Sequence, residues 1–207
     1  MKRQAKTRTW FDRHVHDPYV RLATARGYRS RAAFKLMELD ARDRLLRPGL
    51  TVVDLGCAPG GWCQVALERL QGRGRVIGID LLPMEPLPGV DFIQGDFGAA
   101  TVQARLRELL ADVPVDLVLC DAAPNLSGVA AADQARIYDL ARQALAFACV
   151  HLQPAGAFVV KVFQGEDFDA FVGQLRTAFA RVLVRKPQAS RERSREVYLL
   201  ARELRQN

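Results

Sequence analysis

From residue 51 onward, apolar runs alternate with segments of helical periodicity, and this alternation restricts the chain to very few folds. The runs are TVVDLG (51–56), RVIGID (75–80), VDFIQGD (90–96), VDLVLCD (115–121) and AGAFVVKVF (155–163). Helical stretches follow at 61–71, 99–112, 131–151 and 167–179. Runs that are apolar at successive positions, rather than at every second one, belong to strands covered on both faces. The expected fold is therefore α/β: a doubly wound, mostly parallel sheet with helices on both faces. The end of the chain departs from the pattern. ARVLVRK (180–186) and SREVYLLA (194–201) are separated only by a polar loop, with no room for a crossover helix. The C-terminal strand should thus pair antiparallel. Upstream, Ser30 is placed to cap a helix over residues 32–46, which Arg47-Pro48-Gly49 stops. Residues 1–28 lack steady periodicity and read as an arm, mobile or ordered by a partner, ahead of one domain over 29–207.

Charge is distributed unevenly between the two parts. Residues 1–31 carry nine Lys and Arg against Asp12 and Asp17, a net +7, while the other 176 residues balance at zero. A basic arm on a neutral body is the electrostatic footprint of a polyanion binder, although a solubilising tail has the same composition. No apolar stretch follows the N-terminal charges and no run of about 18 apolar residues occurs, so neither a secretory signal nor a membrane span is expected. Cys57, Cys63, Cys120 and Cys149 lack paired spacing and read as buried free thiols of a cytoplasmic protein, not as metal ligands. Nothing calls for an obligate protein partner, and a monomer is expected.

In open α/β sheets, ligands bind beyond the carboxyl ends of the strands. Those ends read Asp54, Asp80, Asp96 and Asp121, and the first loop is GCAPGGW (56–62). Its glycines permit close backbone approach to a bound molecule. The spacing is not that of a dinucleotide fingerprint, which argues against a nicotinamide-dependent oxidoreductase on the same fold. Asp80 suits a ribose diol, since an ionised carboxylate accepts several hydrogen bonds, and Asp96 could take an adenine amino group. Any one strand-end aspartate could instead cap a helix; four at successive ends are harder to explain that way.

The chain uses 25 Arg and 5 Lys, yet its two most apolar cationic positions are lysines: Lys35 within AAFKLM (32–37) and Lys161 within AFVVKVF (157–163). Lysine can act as a base and arginine in practice cannot. Lowering a lysine pKa from about 10.4 to the range of 7–8 costs roughly 3–4 kcal/mol, which burial beside another cation can impose. A packed stem with an exposed head is the alternative for both. Glu196 is a further charge inside an otherwise core-like strand, unless that position faces solvent at a sheet edge.

The loop DLGCAPGGW (54–62), the run DAAPNLSG (121–128), Lys161 within a strand and the late Glu196 together resemble the FtsJ-type RNA 2′-O-methyltransferases. The resemblance covers about residues 17–201 and is similar to the bacterial ribosomal branch rather than the viral cap enzymes. It implies a Rossmann-like sheet, S-adenosylmethionine as methyl donor, no metal, and a uridine ribose of 23S ribosomal RNA in the large ribosomal subunit as acceptor. It further implies a catalytic set Lys35, Asp121, Lys161 and Glu196, with Lys161 as proton acceptor, and cofactor contacts from Gly60, Trp62, Asp80, Asp96 and Asp121. The arm then becomes an RNA-binding segment. Two rivals remain: an RNA-binding assembly factor without turnover, and a base methyltransferase using Cys120 as nucleophile. Cys120 lies within a strand, however, where burial is the simpler reading.

Overall fold

Among residues 17–124, 128–191 and 194–205, which the computed structural model describes, seven strands form one sheet. They are β1 (Thr51–Leu55), β2 (Arg75–Asp80), β3 (Val90–Gln94), β4 (Val115–Cys120), β5 (Leu152–Phe163), β6 (Phe179–Arg185) and β7 (Glu196–Leu204). Their order is β3-β2-β1-β4-β5-β7-β6. Strands β1 to β5 pair in parallel, and β7 enters antiparallel between β5 and β6. The short polar link between β6 and β7 leaves no length for a crossover, which is why the reversal falls there.

Alternate residues of the central strands feed two cores. Val53, Leu55, Ile77, Ile79, Val118 and Val160 face one side, covered by helices α4 (Ala100–Leu110), α5 (Ala130–His151) and α6 (Phe168–Ala178). Val52, Leu117, Leu119, Val159, Tyr198 and Leu200 face the other, under α2 (Ala32–Asp43) and α3 (Gly61–Leu70). Burying both faces explains why the strands read as continuous apolar runs.

Three local expectations change. Residues 17–28 are not structureless: Asp17 caps helix α1 (Pro18–Ala25), accepting from the Tyr19 N–H at 3.0 Å. Ala23 of α1 packs with Phe34 and Ala189, and the Arg31 guanidinium bridges the Asp17 carboxylate and the Ala189 carbonyl. Residues 1–16 lie outside the described residues. Ser30 does not cap α2, whose N-cap position is Arg31. Its hydroxyl instead abuts α3, where a Cβ on Gly61 would come within 2.5 Å of it. The helix also stops at Asp43, because Arg44 turns left-handed and the Asp40 carboxylate takes the Leu46 N–H at 2.8 Å. Lastly, Cys149 is exposed, whereas Cys57, Cys63 and Cys120 are buried. On α5 the sheet-facing positions are Ala141, Ala144 and Ala148, and Cys149 with Val150 turns away from them.

Candidate active site

Strand register assembles the charged cluster. Lys161 on β5 lies directly opposite Tyr198 on β7, and Phe163 opposite Glu196. Directly opposed residues share a sheet face, as do residues two apart, so Lys161, Tyr198 and Glu196 all point towards α2. Asp121 follows β4 at the same sheet end. Lys35, one turn into α2, reaches down from above. Its ammonium lies 2.8 Å from Glu196 Oε1 and 4.0 Å from Asp121 Oδ1. Lys161 Nζ lies 3.0 Å from that same Oδ1 and also donates to the Asp121 backbone carbonyl. The Tyr198 hydroxyl donates to Asp121 Oδ1 at 2.7 Å, and Ser190 donates to Glu196 Oε1 at 2.8 Å.

These four charged side chains retain only 9 to 15% exposure, so their attraction acts largely out of water while one side stays reachable. Burial raises the Asp121 carboxyl more than any other single influence. Lys161, Lys35 and the Tyr198 hydroxyl together outweigh it, and the group ends below the ordinary carboxylate value. The Tyr198 hydroxyl moves the opposite way, pushed well up by burial and then by Asp121 and Glu196. It therefore stays a donor.

Beside the cluster opens a cavity of about 420 Å³, lined among others by Ala58, Asp80, Leu82, Asp96, Asp121 and Pro124. Gly56, with φ of 73°, forms its floor: a Cβ there would meet that of Ala122 at 2.5 Å, so the loops after β1 and β4 touch. Asp80 accepts the Ala58 N–H through Oδ2 and the Leu82 N–H through Oδ1, each at 2.8 Å. An ionised carboxylate has about four acceptor sites, so one remains on each oxygen. Asp96 Oδ1 accepts the Gly98 N–H at 2.8 Å, and Oδ2 has no partner among the described residues.

Asp54 is buried at the end of β1, with Cys63 Sγ donating to Oδ2 at 3.3 Å and no partner for Oδ1 among the described residues. Burial pushes its carboxyl up to about 8, with Asp121 and Asp80 adding to the rise. Cys120 is enclosed on all sides and burial pushes its thiol up to about 12, which removes it as a nucleophile near neutral pH.

The structure thus brings Lys35, Asp121, Lys161 and Glu196 together, and sets Asp80, Asp96 and Asp121 around one cavity. Gly60 and Trp62 are not among the residues that line this cavity. Gly60 is the left-handed N-cap of α3, and Trp62 is buried, donating its indole N–H to the Ala32 carbonyl at 2.7 Å. Tyr198 and Ser190 are not apparent from the sequence. Tyr198 sits among Val197, Leu199 and Leu200 and looks like one more core aromatic; only the register opposite Lys161 gives it a polar task.

The chain also matches known proteins. The profile of a family described as FtsJ-like methyltransferase matches residues 28–204. A ribosomal RNA large subunit methyltransferase E from Azoarcus sp. (strain BH72) is 58% identical over 205 residues, covering 99% of this chain and 100% of the relative. One from Thiobacillus denitrificans is 56% identical over 97% of this chain and 91% of its own length. Among solved structures, a Plasmodium falciparum chain described as a ribosomal RNA methyltransferase superposes with a TM-score of 0.79 at 34% identity, covering 86% of this chain and 98% of that one. The chain is an enzyme and belongs to the FtsJ-like methyltransferase family.

Proposed function

We propose that the enzyme methylates the ribose 2′-hydroxyl of a uridine in 23S ribosomal RNA within the large ribosomal subunit, using S-adenosylmethionine as donor. The names of its relatives support the substrate class. The observation that carries the chemistry is the position of Asp121, which lines the cavity and also accepts from the Lys161 ammonium. One carboxylate thereby joins a donor pocket to a buried amine.

The cavity fits such a donor. Asp80 has two acceptor sites left for ribose hydroxyls, and Asp96 Oδ2 is open to an adenine amino group. Gly60 and Trp62 place the N-terminus of α3, whose first-turn N–H groups suit a carboxylate. The Asp54 Oδ1, without a partner among the described residues, is a buried polar atom at the base of the loop after β1. S-adenosylmethionine supplies a methyl group already activated on a sulfonium, so the protein has to align and to manage one proton. Lys161 as the neutral amine accepts the proton of the 2′-hydroxyl, or as the ammonium it orients the hydroxyl by donating to its oxygen. Glu196 fixes Lys35, and Lys35 with Tyr198 fixes Asp121. Holding both reactants in line can lower the barrier by about 7–11 kcal/mol. Residues 1–28 supply phosphate contacts, and the enzyme works in the cytoplasm as a monomer.

The test is to incubate the enzyme with labelled S-adenosylmethionine and large subunits from cells lacking it, then to map the label by nuclease digestion and mass spectrometry. Label on one uridine ribose supports the reading. Label on a base, or none, contradicts it.

A further inference from the structure

Arg29 stands outside the charged cluster and outside the cavity, yet from its position between α1 and α2 it reaches two loops that border that cavity. Its Nη1 donates to the Glu85 carbonyl at 2.6 Å and the Pro59 carbonyl at 3.2 Å, and its Nη2 to the Pro86 carbonyl at 2.8 Å. Pro59 belongs to the loop after β1; Glu85 and Pro86 belong to the loop after β2. Both loops line the cavity through Ala58, Leu81 and Leu82.

The sequence of the second loop explains why a multi-donor cation suits it. Residues 82–88 read LPMEPLP, so three of seven positions have no N–H. Such a segment offers carbonyls and few donors, and it cannot pair with its neighbour as a strand would. A planar guanidinium with five donors can span carbonyls from two loops; an ammonium, as a point, cannot reproduce that fork. Arg29 is itself held. Its N–H donates to Gln64 Oε1 at 2.8 Å, Gln64 Nε2 donates to the Gly27 carbonyl at 2.9 Å, and the Tyr28 hydroxyl binds Glu68 at 2.8 Å. Residues 27–29 are thereby fastened to α3, and Gly60 packs against the guanidinium, where a Cβ would lie 3.2 Å from Nη1.

Asp80 ties the same two loops from the cavity side, through the N–H groups of Ala58 and Leu82. When a ribose diol takes the remaining acceptor site on each of those oxygens, Asp80 holds the loops and the donor at once, and the outer tie keeps the loops in register. We propose that Arg29 is a positioning residue for the methyl donor: it clamps the loops after β1 and β2 from outside so that Asp80 and Leu82 meet the donor correctly. The proposal rests on reading the cavity as the S-adenosylmethionine site.

The experiment measures S-adenosylmethionine affinity by calorimetry, and KM and kcat for transfer to large subunits, for the wild type, Arg29→Met and Arg29→Lys. Circular dichroism confirms folding at the assay temperature. Removing charge-assisted bonds should weaken donor affinity about tenfold or more in Arg29→Met. The loss should fall on the donor KM, with kcat at saturation kept within about threefold, as expected when an interaction common to ground and transition states is removed. Arg29→Lys should lie between the two, and carries the test if the Met variant does not fold. A merely structural clamp would lower the melting temperature and leave donor affinity intact, and that result overturns the proposal. A wild type that binds no S-adenosylmethionine overturns the reading of the cavity and the proposal with it.

Discussion

Lys161 engages Asp121 twice, its ammonium standing 3.0 Å from carboxylate oxygen Oδ1 while also donating to the backbone carbonyl of the same residue. The lysine is thus fixed to the loop that borders the cavity, not merely to its own strand. Tyr198 completes the hold by donating to the same oxygen. All three lysines beyond the arm take part in this corner, for Lys186 donates to the Glu196 backbone carbonyl at 2.8 Å.

Tyr198→Phe removes one donor from Asp121 without changing the volume of the core. Tyr198 helps to hold that carboxyl below its ordinary value, so the carboxyl should rise in the variant. The acid limb of a single-turnover pH–rate profile should shift to higher pH, and the rate on the plateau should fall by about tenfold, the worth of one hydrogen bond to a charged group. An acid limb and plateau both unchanged would show that Tyr198 only packs.

Most of the parallel strands were legible because burial on both faces leaves an unbroken apolar run, and because an aspartate closes four of the five runs (Asp54, Asp80, Asp96 and Asp121). Lys35, Lys161 and Glu196 stood out for a related reason, as charges in segments that otherwise read as core. Helix α1 did not stand out. It has eight residues, and its support comes from Phe34 and Ala189, far along the chain, and from the Arg31 bridge. Arg29 was equally hidden, since nothing local distinguishes an arginine that clamps carbonyls 30 and 57 residues away from one that faces water. Tyr198 needed the β5–β7 register. In each case the missing information was tertiary.

Asp54 gives a pH-dependent stability of definite sign. Its carboxyl titrates near 8 in the folded protein, against 3.8 ordinarily. The folded state therefore keeps a proton that the unfolded chain releases. This contribution is full below pH 3.8, declines as pH rises through the window up to about 8, and is gone above it. Asp54→Asn cannot titrate. Its melting temperature should fall less than that of the wild type between about pH 5 and pH 8.5, by several degrees for an effect of order 1–2 kcal/mol or more. Parallel melting curves across that range would contradict a buried, protonated Asp54.

Removing residues 1–16 tests the proposed role of the arm in RNA affinity. The deleted segment carries five Lys and Arg (Lys2, Arg3, Lys6, Arg8, Arg13) against Asp12. For every phosphate that these side chains neutralise, the salt slope of subunit binding should fall by about one on truncation. The truncated enzyme should bind large subunits more weakly and with a flatter salt dependence, while S-adenosylmethionine affinity stays the same. An unchanged slope in filter-binding or fluorescence titrations would leave the arm a solubilising tail.

Single-turnover transfer by Lys161→Ala, with S-adenosylmethionine and large subunits both saturating, decides whether Lys161 handles the proton of the attacking hydroxyl. Alanine removes the amine and leaves Asp121 to Tyr198 and the more distant Lys35. Lys161→Arg serves as the companion, because it keeps the charge but cannot act as a base and overfills a strand packed through Val160 and Val162. A melting curve for each variant ensures that transfer is measured on folded protein. Both variants should bind donor and subunit, yet lose transfer by about 10²-fold or more, as expected when a general base is removed. Transfer near the wild-type rate by folded Lys161→Ala would show that another group handles that proton.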